Sequence, residues 1–172
     1  MKYNEEYRMD TMDCLQTIVI GIGATLIMDA WACFQKRVLR IQSLDYALVA
    51  RWVSLIPRGQ LIHHTIMDTT PIQGEKILGW SLHYLIGVVF ALVHVLLLGE
   101  VWLIDPHMLP ALITGIVTLI FPFFIIQPCL GFGVAASKTP SPWKARGLSL
   151  LAHSFYGIGL FWSALVLNYR FL

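Results

Sequence analysis

Four long apolar runs separated by polar segments dominate the pattern along the chain: residues 15–34, 78–99, 108–130 and 147–167. None contains Lys or Arg, and Asp29 is the only acidic residue inside any of them. About 20 such residues in a helix cross the roughly 30 Å hydrocarbon core of a bilayer. Core helices of a water-soluble domain would carry a polar stripe along their length, and these runs do not. The pattern therefore predicts four transmembrane helices. In the first loop Leu44, Leu48, Trp52 and Leu55 recur at helical spacing, with Asp45 and Arg51 off the stripe. Ser43 is placed to cap this segment, and Pro57 and Gly59 end it. That predicts an amphipathic helix over about 43–56 lying on the membrane surface, where Trp and Arg suit the headgroup zone. Residues 59–76 read as irregular. Pro122 and Pro128 each remove a backbone donor from the third run, so a kink is expected there, with a neighbouring polar group meeting the freed carbonyl.

The second and fourth runs share a register. His83 aligns with His153 and Gly87 with Gly157; Thr25 of the first run aligns more weakly with Thr118 of the third. The chain thus reads as two tandem helical hairpins, about 15–99 and 108–168, within a single integral membrane domain spanning 1–172. Each copy crosses twice, so both run the same way and their pseudo-symmetry axis lies along the membrane normal. The expected fold class is all-α: four transmembrane helices as a parallel pseudo-repeat of hairpins, plus one interfacial helix in the first loop.

Composition agrees. Apolar residues make up 57% of the chain and charged residues 13%, with a mean hydropathy of +0.69; a soluble domain carries about a quarter charged residues. The acidic flank Glu5, Glu6, Asp10 and Asp13, and the length of the first run, do not fit a cleaved signal peptide, so that run is expected to stay as a helix. The first and third loops hold Lys36, Arg37, Arg40, Arg51, Arg58, Lys76, Lys138, Lys144 and Arg146, whereas the termini and second loop hold only Lys2, Arg8 and Arg170. Positive charge is retained on the cytoplasmic side. Loops one and three are therefore expected in the cytoplasm and both termini outside. Topology and anionic lipid account for the net charge of +2, and no nucleic-acid partner is called for. Cys14, Cys33 and Cys129 lack the spacing of a disulfide framework or metal site.

Chemistry concentrates in few residues. An ionised Asp29 inside a membrane helix costs at least about 2.5 kcal/mol on insertion scales, so it must face the bundle and find a partner. It reads either as a proton- or ion-handling carboxylate or metal ligand, or as an acid fastened to a neighbouring helix or loop base. His83 and His153 lie at equal depth, each with a glycine four residues on. Two such faces could hold a metal ion or a haem between imidazoles. Close packing at glycine, with Tyr84 and Gln127 as hydrogen-bond partners, explains the same residues without a ligand. His63, His64 and Asp68 read as a solvated polar stretch, and Trp80, Trp143, Trp162 and Tyr169 as interfacial anchors. No Gly-rich phosphate loop, nucleophile elbow or paired-carboxylate site selects an enzyme class.

Four blocks, SLDYALVARW (43–52), GEKILGWSLHY (74–84), PFFIIQP (122–128) and ASKTPSP (136–142), resemble a family of small bacterial membrane proteins catalogued as domain of unknown function 2938. The resemblance runs from Gly21 into the fourth run. It implies a bacterial inner-membrane location and no particular activity, substrate or catalytic residue. It groups Asp45, Arg51, Glu75 and Gln127 with Asp29, His83 and His153 as one polar surface on the cytoplasmic side. Three functions stand open. The first is binding of a metal, haem or small ligand at Asp29, His83, Tyr84, Gln127 and His153, with His83 and His153 as the metal ligands. The second is proton- or cation-coupled transport, completed by a homo-oligomer, and the third is a structural or accessory subunit.

The charge count predicts sidedness. In a cysteine-free background, Asp105→Cys should react with an impermeant maleimide in intact spheroplasts, and Gln60→Cys only after permeabilisation.

Overall fold

The computed structural model describes residues 9–41 and 44–171, and among them there is helix, turn and loop but no strand. The helices are α1 (Thr11–Val38), α2 (Tyr46–Leu55), α3 (Glu75–Leu98), α4 (Glu100–Ile104), α5 (Met108–Val117), α6 (Gln127–Cys129) and α7 (Pro142–Phe171), with a π-helical turn, Pro122–Ile126, ahead of α6. Among the described residues four stretches are long and apolar enough to cross a membrane: Thr11–Val38, Glu75–Leu98, Met108–Cys129 and Pro142–Asn168. Their outer faces carry large bare side chains, such as Leu97 at 79% exposure, which suit lipid rather than water. Three of the four reach beyond the apolar runs, α1 and α7 with help from residues in their first turns. At the start of α1, Asp10 accepts from the Asp13 amide and Asp13 accepts from the Asp10 amide, a reciprocal cap. Pro142 opens α7 in the first turn, where a missing N–H costs nothing.

Small residues decide which helices touch. A Cβ on Gly21 of α1 would stand 2.8 Å from Val88 Cα and 3.2 Å from the Gly87 carbonyl, so α1 and α3 meet backbone to backbone. A Cβ on Gly157 of α7 would lie 2.7 Å from the Ala111 carbonyl and 2.9 Å from Leu112 Cα, closing α5 on α7. Gly159 presses on Ala24 in the same way and joins α7 to α1. Ile20, Ala24, Ala91, Val95, Leu160 and Ala164 form the core between these seams. Trp102 and Leu103 of α4, a short helix the apolar pattern does not announce, plug one end of that core, and Asn168 Nδ2 holds the Leu103 carbonyl at 2.7 Å.

The first and third loops meet at the other end. The amides of His63 and Ile66 donate to the carbonyls of Cys129 and Leu130, each at 2.9 Å. Ile66 and Leu130 are fully buried beside Val49 and Leu55. Residues 59–74 are irregular apart from one turn, Ile66–Asp68, while Glu75 and Lys76, expected in the loop, already belong to α3; the two bonds pin the loop against the second hairpin.

The first-loop helix differs from its expected form. It starts at Tyr46, and the cap is Asp45, whose carboxylate accepts from the Ala47 amide at 3.0 Å. Ser43, the expected cap, lies outside the described residues, as do Lys2, Arg8 and the side chains of Tyr169 and Arg170. Of the expected apolar stripe only Leu55 is buried, whereas Leu44 is exposed. Ala47, Ala50 and Arg51 turn inward instead, and Gly79 of α3 packs directly against the backbone of Tyr46 and Ala47. The break at Pro122 is present as the π turn. The Thr118 carbonyl, deprived of a donor at residue 122, accepts one residue early from Phe121 at 3.2 Å. Backbone thus does what a neighbouring polar group was expected to do.

These seams make a paired prediction. Gly157→Ala must push α5 and α7 apart and should lower stability by about 1–3 kcal/mol. Gly147→Ala, with nothing within 4 Å of its Cβ, should gain up to about 1 kcal/mol of helix propensity. Thermal unfolding of both in one detergent checks the contrast.

Candidate functional site

Between the hairpins lies a cavity of about 420 Å³, walled by residues from α1, α2, α3, α7 and the α5–α6 segment. It reaches from Phe90 and Tyr156, at mid-span, to Leu44 and Thr139 at the end where the first and third loops meet. Its walls are mostly apolar, with Met28, Ile86, Phe121 and Leu148 prominent.

His83 stands in one wall. Its Nε2 lies 3.0 Å from Asp29 Oδ1, and the Tyr84 hydroxyl donates to Asp29 Oδ2 at 2.9 Å. Carboxylate and imidazole side chains are only 15% and 11% exposed. An ionised carboxylate only accepts, so the His83 proton sits on Nε2. Tyr46 from α2 lies flat on the imidazole, with ring centroids 3.9 Å apart and planes inclined by 17°. Burial, with the Asp29 charge adding to it, pushes the Tyr46 phenol well above its ordinary pKa, so it stays a neutral hydroxyl.

His153 stands in the facing hairpin. Its Nδ1 lies 2.7 Å from Thr118 Oγ1, and that hydroxyl donates to the Gly115 carbonyl at 2.6 Å. Gln127, just past the π turn, is 8% exposed, and its Oε1 has no partner among the described residues.

The structure therefore brings His83, Gln127 and His153 into the wall of one cavity, with Asp29 and Tyr84 behind His83 rather than facing the space. Asp45, Arg51 and Glu75 are elsewhere. Arg51 grips Glu75 through two bonds, Nε–Oε2 at 2.8 Å and Nη2–Oε1 at 2.7 Å, and donates from Nη1 to the Thr69 carbonyl at 2.9 Å. Glu75 Oε2 also accepts from the Ile72 amide at 3.0 Å. This pair is an inward clamp on the first loop, and Asp45 is the exposed cap of α2. Three residues not singled out in the sequence complete the surroundings: Thr118, Tyr46, and Tyr156, whose hydroxyl donates to the Gly87 carbonyl at 2.6 Å. Only Thr118 left a trace, through its alignment with Thr25.

Chemically, the wall offers two imidazoles whose protons are held by the protein. Among the described residues no group of three or more His, Cys, Asp or Glu side chains converges as a metal set. His83 has already committed Nε2 to a carboxylate and His153 has committed Nδ1 to a hydroxyl, which leaves one nitrogen on each ring.

Tyr84→Phe removes one of the two bonds to Asp29 and should cost about 0.5–1.5 kcal/mol. Asp29→Ala strands two part-buried donors and should cost about 1–3 kcal/mol for each. Unfolding midpoints in a mild detergent rank the two variants.

No curated protein and no solved structure matches the chain. A family model described as "Protein of unknown function (DUF2938)" matches residues 18–167, nearly the whole of the region just described. The chain belongs to the DUF2938 family.

Proposed function

We propose that the protein binds a small molecule with an apolar body in the cavity between the hairpins, its polar end held at His83, Gln127 and His153. The observation that carries this reading is the cavity itself: about 420 Å³, mostly apolar, with a few convergent polar side chains. Ligand sites span about 300–1,000 Å³, have this lining, and occur between helices of bundles. All four sequence blocks contribute to the wall, through Tyr46, His83, Gln127 and Thr139. The clamp of Arg51 and Glu75 supports the reading by holding α2, and with it Tyr46, over the His83 ring.

The proposal extends to setting and build. A bacterial inner membrane is the expected location, with loops one and three cytoplasmic and both termini outside; the basic residues gathered near the cavity end support that orientation. The exposed Leu44 and half-buried Trp52 support an interfacial position for α2. Each hairpin closes at a pair of glycines, Gly21 near Gly87 and Gly115 near Gly157, with a histidine four residues before the second. That likeness supports a tandem duplication within a single domain.

Ala152 lines the cavity, so Ala152→Phe fills it from α7. Native mass spectrometry of wild-type protein taken from membranes should show a bound small-molecule mass, and this variant should lose it while keeping its melting temperature within a few degrees. An unliganded wild type, or an adduct indifferent to the substitution, would sink the reading.

A further inference from the structure

The proposed ligand's polar end meets a wall of unusual uniformity. Thr25, Thr118, Thr139 and Tyr156 all line the cavity, and each donates its single hydroxyl proton to a backbone carbonyl: those of Gly21, Gly115, Ala136 and Gly87, at 2.6–2.8 Å. Toward the cavity these oxygens can only accept.

The imidazoles are fixed in the same sense. Thr118 spends its proton on the Gly115 carbonyl, so the bond between Thr118 and His153 must use the proton of His153 Nδ1. In the neutral ring Nε2 is then a bare acceptor. It makes no hydrogen bond among the described residues, and it is not one of the enclosed atoms left without a partner. Asp29 likewise holds a proton on His83 Nε2, and in the neutral ring Nδ1 is then an acceptor. The remaining polar groups of the wall, namely Gln35, Tyr46, Gln127 and Ser149, can each donate or accept. Every group of fixed polarity accepts.

We infer that the ligand's polar end is a neutral hydrogen-bond donor, a hydroxyl on an apolar chain, with His153 Nε2 as its acceptor. An ether or ketone of the same shape would set its lone pairs against those of His153 Nε2 and the four hydroxyl oxygens. A carboxylate would do so with a full charge. An ammonium group would bring charge into mostly apolar surroundings where no carboxylate faces the space, a costly transfer. The inference rests on the binding reading above and names the class of molecule bound.

The test uses full-length protein in nanodiscs and two probes of equal chain length, 1-dodecanol and dodecyl methyl ether. The alcohol should bind at least about fivefold more tightly, the worth of one net hydrogen bond. In ¹⁵N-histidine-labelled protein, His153 should show the Nδ1-protonated tautomer, and alcohol, not ether, should move its Nε2 resonance. Thr118→Val releases that tautomer and should bring the two affinities to within about twofold. Equal binding of ether and alcohol to the wild type, or a proton on His153 Nε2, overturns the donor assignment and leaves the cavity reading standing. Failure of both probes to bind overturns both.

Discussion

Glycine seams are the constraint from which the rest of the arrangement follows. Within hydrocarbon no hydrophobic force draws helices together, so they associate where small residues let backbones approach. Gly21 with Gly87 joins α1 to α3, Gly115 with Gly157 joins α5 to α7, and Gly159 with Ala24 joins α7 to α1. No described glycine forms such a seam between α3 and α5. Side chains bridge α3 to the α5–α6 segment instead: Phe90 against Phe121, with centroids 5.0 Å apart, and His94 Nδ1 at 2.7 Å from Thr114 Oγ1. The cavity is the space this asymmetry leaves. Its position is set by where glycines fall along four helices, before any polar group enters the account.

Polar satisfaction then decides what the cavity wall presents. A polar atom within a span has no water to fall back on, so each needs a partner in the protein. Asp29 finds two, and in doing so fixes the proton and orientation of His83. Threonine and tyrosine hydroxyls find helix carbonyls three or four residues back, or a carbonyl on the neighbouring helix. Every such bond spends a proton and leaves lone pairs behind. At the loop end of α3 the Arg51–Glu75 clamp extends the same logic to the loop, where it satisfies the carbonyl of Thr69 and the amide of Ile72.

How much of this could be read from the chain depended on how local each determinant is. The four spans were readable because bilayer thickness imposes a length on apolar runs, and their ends moved outward by up to five residues where Asp10, Asp13 and Pro142 add local caps. The break at Pro122 followed from a missing N–H. The buried face of α2 was misread for a non-local reason. Arg51 looks like a solvated position until Glu75, 24 residues on, turns it inward. With Arg51 inward, Ala47 and Ala50 are buried in place of the apolar stripe, and Gly79 packs on the backbone of Tyr46 and Ala47. Asp29, His83 and His153 were singled out because a titratable residue in an apolar run stands out. Thr118 and Tyr46 did not, since a threonine or tyrosine in such a run is ordinary until its partner is known.

The aligned histidines are not held alike, and the difference comes from a single substitution of chemistry between the helices beside them. Where α1 carries Asp29, the aligned position before α6 is Pro122. His83 is therefore backed by a carboxylate, while His153, with no acid in reach on its own hairpin, takes the Thr118 hydroxyl four residues earlier. Pro122 also opens the π turn, which leads directly into the Gln127 position in the wall. One side of the cavity thus has a carboxyl group behind its imidazole and a tyrosine over it, and the other has a hydroxyl relay and an amide. Matched rings in unmatched surroundings give the site a direction. An elongated guest would feel different fields at the two walls and would settle in one orientation, a property that two equivalent hairpins could not supply.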